Sequence, residues 1–334
     1  MGSSPPLGIA VSPLGGRARL LLAAVLTVAL PATALAGDRF ALVVTGAAGG
    51  EEYAQKYQAW RASLVSTLKE RFGYPDDRIR VLAEDLPGPG KATRDNVRSA
   101  LGDLRKRAVE GDVTLVLLIG HGTADTDEAK FNLVGPDLTV DEWAALVKPI
   151  PGRVVFVNAS SGSFPFLAAL AGKGRVVLTA NDSAAQQFET VFPEYFIKAF
   201  ADDAADLDKN GKVSLLEAFT YASSQVKDWF EQKGQLATER AMLDDTGGGT
   251  GRDLDTPGKD GQLAQITYLA PEVPPGMAAN PELASLMRRR AEVEDRLNLL
   301  RSNKGDMPAD RYNDELERLL LELARIDRQL RAKT

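Results

Sequence analysis

Four stretches of this chain, 39-RFALVVTG-46, 113-VTLVLLIG-120, 153-RVVFVNA-159 and 174-GRVVLTA-180, are nearly unbroken apolar runs. A strand with one wet face alternates apolar and polar residues, whereas a continuous run of this length fits a strand covered on both faces. The β-rich 78-RIRVLAE-84 adds a fifth candidate. Helical patterns alternate with these runs. In 51-EEYAQKYQAWRASLVSTLKERFG-73, Tyr53, Tyr57, Trp60, Leu64 and Leu68 recur every three or four residues and make one apolar face. Thr93 can cap the helix 94-RDNVRSALGDLRKRAV-109, whose Val97, Leu101 and Leu104 face inward. Strands alternating with helices predict a three-layer α/β sandwich around a mostly parallel sheet.

The expected organisation has four parts. Residues 1–36 carry Arg17 and Arg19, then the apolar run 20-LLLAAVLTVAL-30 and the small residues 34-ALA-36, the layout of a secretory signal. The apolar run is short for a membrane span. The reading is therefore an exported protein, periplasmic or secreted, with no membrane span after signal cleavage. Residues 37–235 form the α/β domain. Residues 236–275 form a loop and linker, containing the glycine-rich 244-DDTGGGTGRD-253, a candidate strand at 262–269 and the proline-rich 271-PEVPPG-276. Residues 276–334 form an antiparallel helical hairpin. Its first stripe is Leu283, Leu286, Val293, Leu297 and Leu300; its second is Tyr312, Leu316, Leu319, Leu323, Ile326 and Leu330. The hairpin is also a candidate surface for an oligomer.

Composition removes several chemistries. Without Arg17 and Arg19 the chain keeps 38 basic against 46 acidic residues, a balance that argues against nucleic acid as a partner. Cysteine is absent, so an exported chain of this kind has no disulfide and no thiolate. One histidine and no cysteine exclude a zinc cluster. The stretch 247-GGGTG-251 lacks the lysine and preceding strand of a phosphate loop.

The most specific motif is 206-DLDKNGKVSLLE-217. Calcium takes six to eight hard oxygen ligands, and a twelve-residue EF-hand loop supplies them from positions one, three, five, seven, nine and twelve. Those positions hold Asp206, Asp208, Asn210, the Lys212 carbonyl, Ser214 and Glu217, with Gly211 at the sharp turn. Both flanks are helical by pattern. The expectation is one calcium site, weak and structural, because no second loop of this kind is present to couple with it.

Ligands of open α/β sheets gather beyond the carboxyl ends of the strands. Two such ends carry chemistry: Gly120-His121-Gly122, with the chain's single histidine, and Asn158-Ala159-Ser160-Ser161-Gly162. Here the sequence resembles the caspase and legumain-like peptidases of clan CD, particularly exported bacterial members. In that family the catalytic histidine ends a buried strand in a His-Gly pair, as in 117-LLIGHG-122. The catalytic cysteine ends the next core strand in a pattern like Glu-Ala-Cys-Glu-Ser-Gly. The resemblance continues through 131-FNLVGPDLT-139 and 176-VVLTANDSAAQQFETVFPEYFIKAF-200, and the calcium-like loop, 238-TERAMLDD-245 and the terminal helices share it. It implies a caspase-like sandwich, His121 as the positional match to the catalytic base, and Gly122 as an oxyanion-hole amide.

At the nucleophile the chain departs from the family. One alignment puts Ser161 where the cysteine belongs, with Ser163 on the family's serine; another puts Ser160 there. An alcohol is harder to deprotonate than a thiol and needs a well-placed base, itself held by a third group. Asp125, Asp127 and Asp182 are loop acids near strand ends, none identifiable as that group. Three readings follow. One is a non-catalytic pseudopeptidase that binds calcium and a peptide or protein partner. Another is a hydrolase using Ser161 or Ser160 with His121, and the third is a calcium-stabilised structural or assembly protein.

Overall fold

A computed structural model describes residues 37–124, 128–183, 186, 188–256 and 258–333. The candidate signal at 1–36 and the acids Asp125 and Asp127 lie outside the described residues. Among the described residues no helix is long and apolar enough to cross a membrane.

The apolar runs form the sheet. In chain order its first elements are β1 (Arg39–Thr45), α1 (Glu51–Ser66), β2 (Ile79–Leu82), α2 (Arg94–Arg107) and β3 (Val113–Ile119). The small strands β4 (Gly122–Ala124), β5 (Ala129–Phe131) and β6 (Leu138–Thr139) follow and make a separate three-stranded sheet. Then come α3 (Val140–Val147), β7 (Arg153–Asn158), α4 (Pro165–Leu170), β8 (Arg175–Thr179), α5 (Phe192–Ala201), α6 (Leu215–Gln232) and β9 (Met242–Asp244). The main sheet has the order β2-β1-β3-β7-β8-β9. All its pairings are parallel except the last, where β9 runs against β8.

Alternation within each run assigns residues to two cores. Ala41, Val43, Leu115, Leu117, Val155 and Val157 face one way and pack with residues of α1, α5 and α6. Phe40, Leu42, Val44, Val116, Leu118 and Phe156 face the other and pack with residues of α2, α3 and α4. Each such large side chain contributes about 1.5–3 kcal/mol when fully buried. The two cores are what hold the strand ends at fixed heights. The cap expected at Thr93 is present, its hydroxyl accepting from Asn96 N.

Two local expectations are corrected. Residues 262–269 do not add a strand: Gln262–Gln265 form a helical turn, α7, and only Tyr268 bridges, to Ser214. Glycine-rich 244–253 is less of a free loop than its composition suggests, for β9 precedes it and Leu243 is fully buried. Carboxylates hold the rest. Asp244 accepts from Gly247 N and Gly249 N, and Asp245 from Gly261 N and Ala264 N. A segment without apolar residues is ordered here because its backbone donors find buried acceptors.

The chain ends in α8 (Pro281–Ser302) and α9 (Ala309–Arg331), which pack on each other through Val293, Leu297, Leu300, Tyr312, Leu319 and Ile326. The seam is internal to the pair. Asn280 caps α8, its side chain accepting from Glu282 N and Leu283 N, and Gln262 Nε2 donates to Asn303 Oδ1 at 3.0 Å.

Candidate functional site

β3 and β7 are neighbours in the sheet, with Leu118 opposite Asn158, so the histidine and serine turns leave the sheet at one level. Ala159 N donates to Leu118 O at 3.0 Å and fixes that alignment. Beyond it the two turns interlock. A Cβ on Gly122 would lie 2.6 Å from Ser161 O and 2.8 Å from Lys130 O, so only glycine admits the approach. Gly162 has φ +61, and a Cβ there would come within 3.0 Å of Ala124 N.

His121 sits against α1. Its Nε2 is 3.1 Å from Tyr57 Oη and 3.1 Å from Ala48 O, while the Tyr53 ring meets it edge-on at 4.8 Å. A carbonyl oxygen can only accept, so in the contact with Ala48 the Nε2–H donates. Burial, with Glu189 and Tyr53 adding to it, raises the Tyr57 pKa and keeps the phenol neutral beside the imidazole. The group that orients the histidine is therefore a main-chain carbonyl in the turn between β1 and α1. No residue type in the sequence marks a main-chain carbonyl. Asp182 is engaged elsewhere, with Arg240 Nη1 at 3.3 Å, and that guanidinium also reaches Asp253 at 3.4 Å.

The serines are closed in. Ser160 is 0% exposed and Ser161 3%. The Ser160 hydroxyl donates to Asn158 Oδ1 at 2.6 Å, and Asn158 Oδ1 also accepts from Ser160 N at 3.1 Å. Ser161 Oγ accepts from Gly122 N at 3.2 Å and donates to Gly122 O at 3.1 Å. The amide expected to face an oxyanion is thus used by a serine. Ser163 Oγ accepts from Ala180 N and Asn181 N at 3.1 and 3.2 Å and ties the turn to the end of β8. The two turns adjoin through the Gly122–Ser161 bonds, and the described bonds of the Ser160 and Ser161 hydroxyls run to Asn158, Ser161 and Gly122.

The other candidate lies between α5 and α6. Carboxylate oxygens of Asp206, Asp208 and Glu217 come within 4.8 Å of one another. Gly211 has φ +86, and Asp206 accepts from Asn210 N and Gly211 N, which folds the loop around the carboxylate. Glu217 faces inward, accepting from Leu207 N and Asp208 N on one oxygen and from Ser214 N and Oγ on the other. Ser214 Oγ in turn accepts from Glu217 N, a capping box that starts α6. Asn210 Oδ1 accepts from Lys212 N at 2.8 Å. The loop is not alone: Leu215 N donates to Thr267 O at 2.8 Å and Ser214 bridges Tyr268. Segment 267–268 thus pairs with the chain at the start of α6. Burial lowers the Lys212 pKa, while Glu294 and Asp295 of α8 pull it back up.

No known family profile matches the chain. Over 99 residues, 26% of the chain, it is 34% identical to metacaspase-4 of Arabidopsis thaliana, covering 24% of that protein. Metacaspase-6 of the same plant is 32% identical over 96 residues, 25% of this chain and 26% of that protein. The chain thus spans about a quarter of the length of the curated relatives it matches. Among solved structures, the Drosophila initiator caspase Dronc has a TM-score of 0.41 at 12% identity, over 80% of this chain and 98% of that one. Protein GSU0716 from Geobacter sulfurreducens has a TM-score of 0.41 at 15% identity, over 66% of this chain and 95% of that one. The strand order, the adjoining histidine and serine turns and the partial metacaspase similarity describe a caspase-like three-layer sandwich, followed by a helical hairpin.

Proposed function

We propose that this chain is a non-catalytic pseudopeptidase of the caspase-like fold, exported, binding a peptide or protein partner at the carboxyl face of its sheet. One observation carries the reading: the Ser160 and Ser161 hydroxyls and the Gly122 amide are all spent on bonds within the two turns. A serine nucleophile needs its hydroxyl on a base and open to a substrate carbonyl. Breaking the Asn158 or Gly122 bond to expose it leaves a buried polar group unmatched, which costs about 1–3 kcal/mol. What persists is the platform, two interlocked turns at one edge of a rigid sheet, and a platform can hold a ligand without reacting with it.

The loop 206–217 suits calcium. Three carboxylates converge, and Asn210, the Lys212 carbonyl and Ser214 would add neutral oxygens. Asp206, Asp208, Asn210, Lys212, Ser214 and Glu217 would hold the ion, which would supply a structural link between α5 and α6. Outside the cytoplasm calcium is abundant enough for a weak site to fill.

A Ser161–His121 or Ser160–His121 hydrolase is the second reading, and the Ala48 carbonyl favours it, because an imidazole held through Nε2 leaves Nδ1 as its other ring nitrogen. Fluorophosphonate labelling of the whole chain separates the two. The pseudopeptidase gives no adduct on Ser160 or Ser161; an adduct that disappears in His121→Ala establishes the hydrolase.

A further inference from the structure

One face of α9 is occupied and the other is not. Tyr312, Leu319 and Ile326 are buried in the seam with α8. Each residue advances a helix by ~100°, so Leu321, two positions after Leu319, lies on the opposite side. Leu321 is 50% exposed and its neighbour Leu320 is 43% exposed. Among the described residues the other exposed large apolar side chains lie singly along the chain.

The charges around Leu321 are ordered. Asp314, Glu317, Leu321, Arg325 and Arg328 follow one another at spacings of three, four, four and three, which puts them on one stripe. All five are exposed, as is Ala324 beside them. Both acids precede the leucine and both arginines follow it at matching separations. Glu317 and Arg325 are each four residues from Leu321, and Asp314 and Arg328 are each seven. The ion pairs of the hairpin are made by other residues, and among the described residues these four charges have no ion-pair partner. The helix dipole favours early acids and late bases, but its effect fades within the first and last turns. α9 runs from Ala309 to Arg331, so Glu317 and Arg325 lie too far from its ends for that explanation.

A two-fold axis at Leu321 turns this order into complementarity. We infer that α9 pairs antiparallel with α9 of a second copy of this chain, with leucine meeting leucine at the centre. Glu317 then faces the partner's Arg325, and Asp314 faces the partner's Arg328. Every contact occurs twice, as a two-fold interface requires. A parallel pairing would set acid against acid and arginine against arginine, so the charges choose the direction as well as the partner. One helix face is smaller than the ~1,600 Å² of a standard interface, and the dimer should dissociate in the micromolar range. The pairing uses none of the residues assigned to the peptide platform or to the calcium loop.

Sedimentation velocity of the intact protein across the micromolar range tests it, with two charge reversals. Glu317→Arg sets arginine against arginine, and Arg325→Glu sets acid against acid. Each should weaken the dimer at least ~10-fold, because like charges are brought face to face. Both positions are exposed and without an ion pair, so the melting temperature of each variant at low concentration should stay near wild type. An equimolar mixture of the two variants restores opposite charges at both ends and should recover the dimer as a heterodimer. A wild type that stays monomeric throughout overturns the inference. So does a single variant that dimerises like wild type, or a mixture no more associated than its components.

Discussion

Ser161 Oγ lies 3.2 Å from the amide nitrogen of Gly122 and 3.1 Å from its carbonyl oxygen, closing a two-bond clasp between the serine turn and the histidine turn. The clasp has a structural consequence whether or not either serine once had a catalytic predecessor. Ser161→Ala leaves the half-buried Gly122 amide without its serine partner and should lower unfolding stability by about 1 kcal/mol. Urea unfolding measures it, and a loss below a few tenths would show that the clasp carries no weight.

Ser160 makes a complementary prediction. Because the chain has no cysteine, Ser160→Cys introduces a sole thiol, and thiol reactivity follows access and thiolate character. Ser160 is 0% exposed, whereas Leu236 is 92% exposed. Iodoacetamide should therefore modify Ser160→Cys at least ~10-fold more slowly than Leu236→Cys, since a buried thiol is shielded and less ionised. Comparable rates would mean that the serine turn opens readily to solvent.

Calcium should stabilise the protein through 206–217. At a free concentration a hundred times the dissociation constant, linkage gives about 2.7 kcal/mol. Asp208 is exposed, so Asp208→Asn should leave the calcium-free melting temperature nearly unchanged and abolish most of the calcium-dependent rise. Glu217→Ala differs. It removes the capping box as well and should cost about 0.5–2 kcal/mol even in chelator. A thermal scan with calcium and with EGTA distinguishes the two variants, and an unchanged wild-type scan argues that the loop holds no cation.

Glu239 sets a pH dependence. It is buried and accepts from Val191 N and Phe192 N at the start of α5. Burial pushes its carboxyl up to about 7; those two amides pull it down and Glu189 pushes it further up. With the folded pKa above the unfolded 4.5, the folded state keeps its proton longer. Its contribution is fully present below pH 4.5 and is lost as pH rises towards 7, by up to about 3 kcal/mol. Glu239→Gln should flatten the fall in stability between pH 4.5 and 7, measured by urea unfolding at several pH values. A slope equal to wild type would remove Glu239 as its source.

The sequence by itself determined the sheet, the two-sided burial, the caps and the placement of chemistry at two strand ends. Those features depend on periodicity and on nearest neighbours along the chain, and 113–119 is an example: seven apolar residues in a row leave no wet face. The twelve-residue spacing of Asp206 to Glu217 is local for the same reason, which is why the convergence of its carboxylates follows the motif. Tertiary structure alone decided the rest. The group orienting His121 is a main-chain carbonyl, which every residue possesses, so no residue type could announce Ala48. The partners of Ser160 and Ser161 were equally hidden. A hydroxyl can donate to a base or to a neighbouring carbonyl, and the choice is set by how closely two turns from separate strands approach. β9 had no signal in the sequence, and 262–269 suggested a strand where only Tyr268 bridges, because both pairings come from main-chain hydrogen bonds across distant positions, to β8 and to the 206–217 loop. Pattern along the chain specifies which face a residue takes; only the folded contacts fix which atom it meets there.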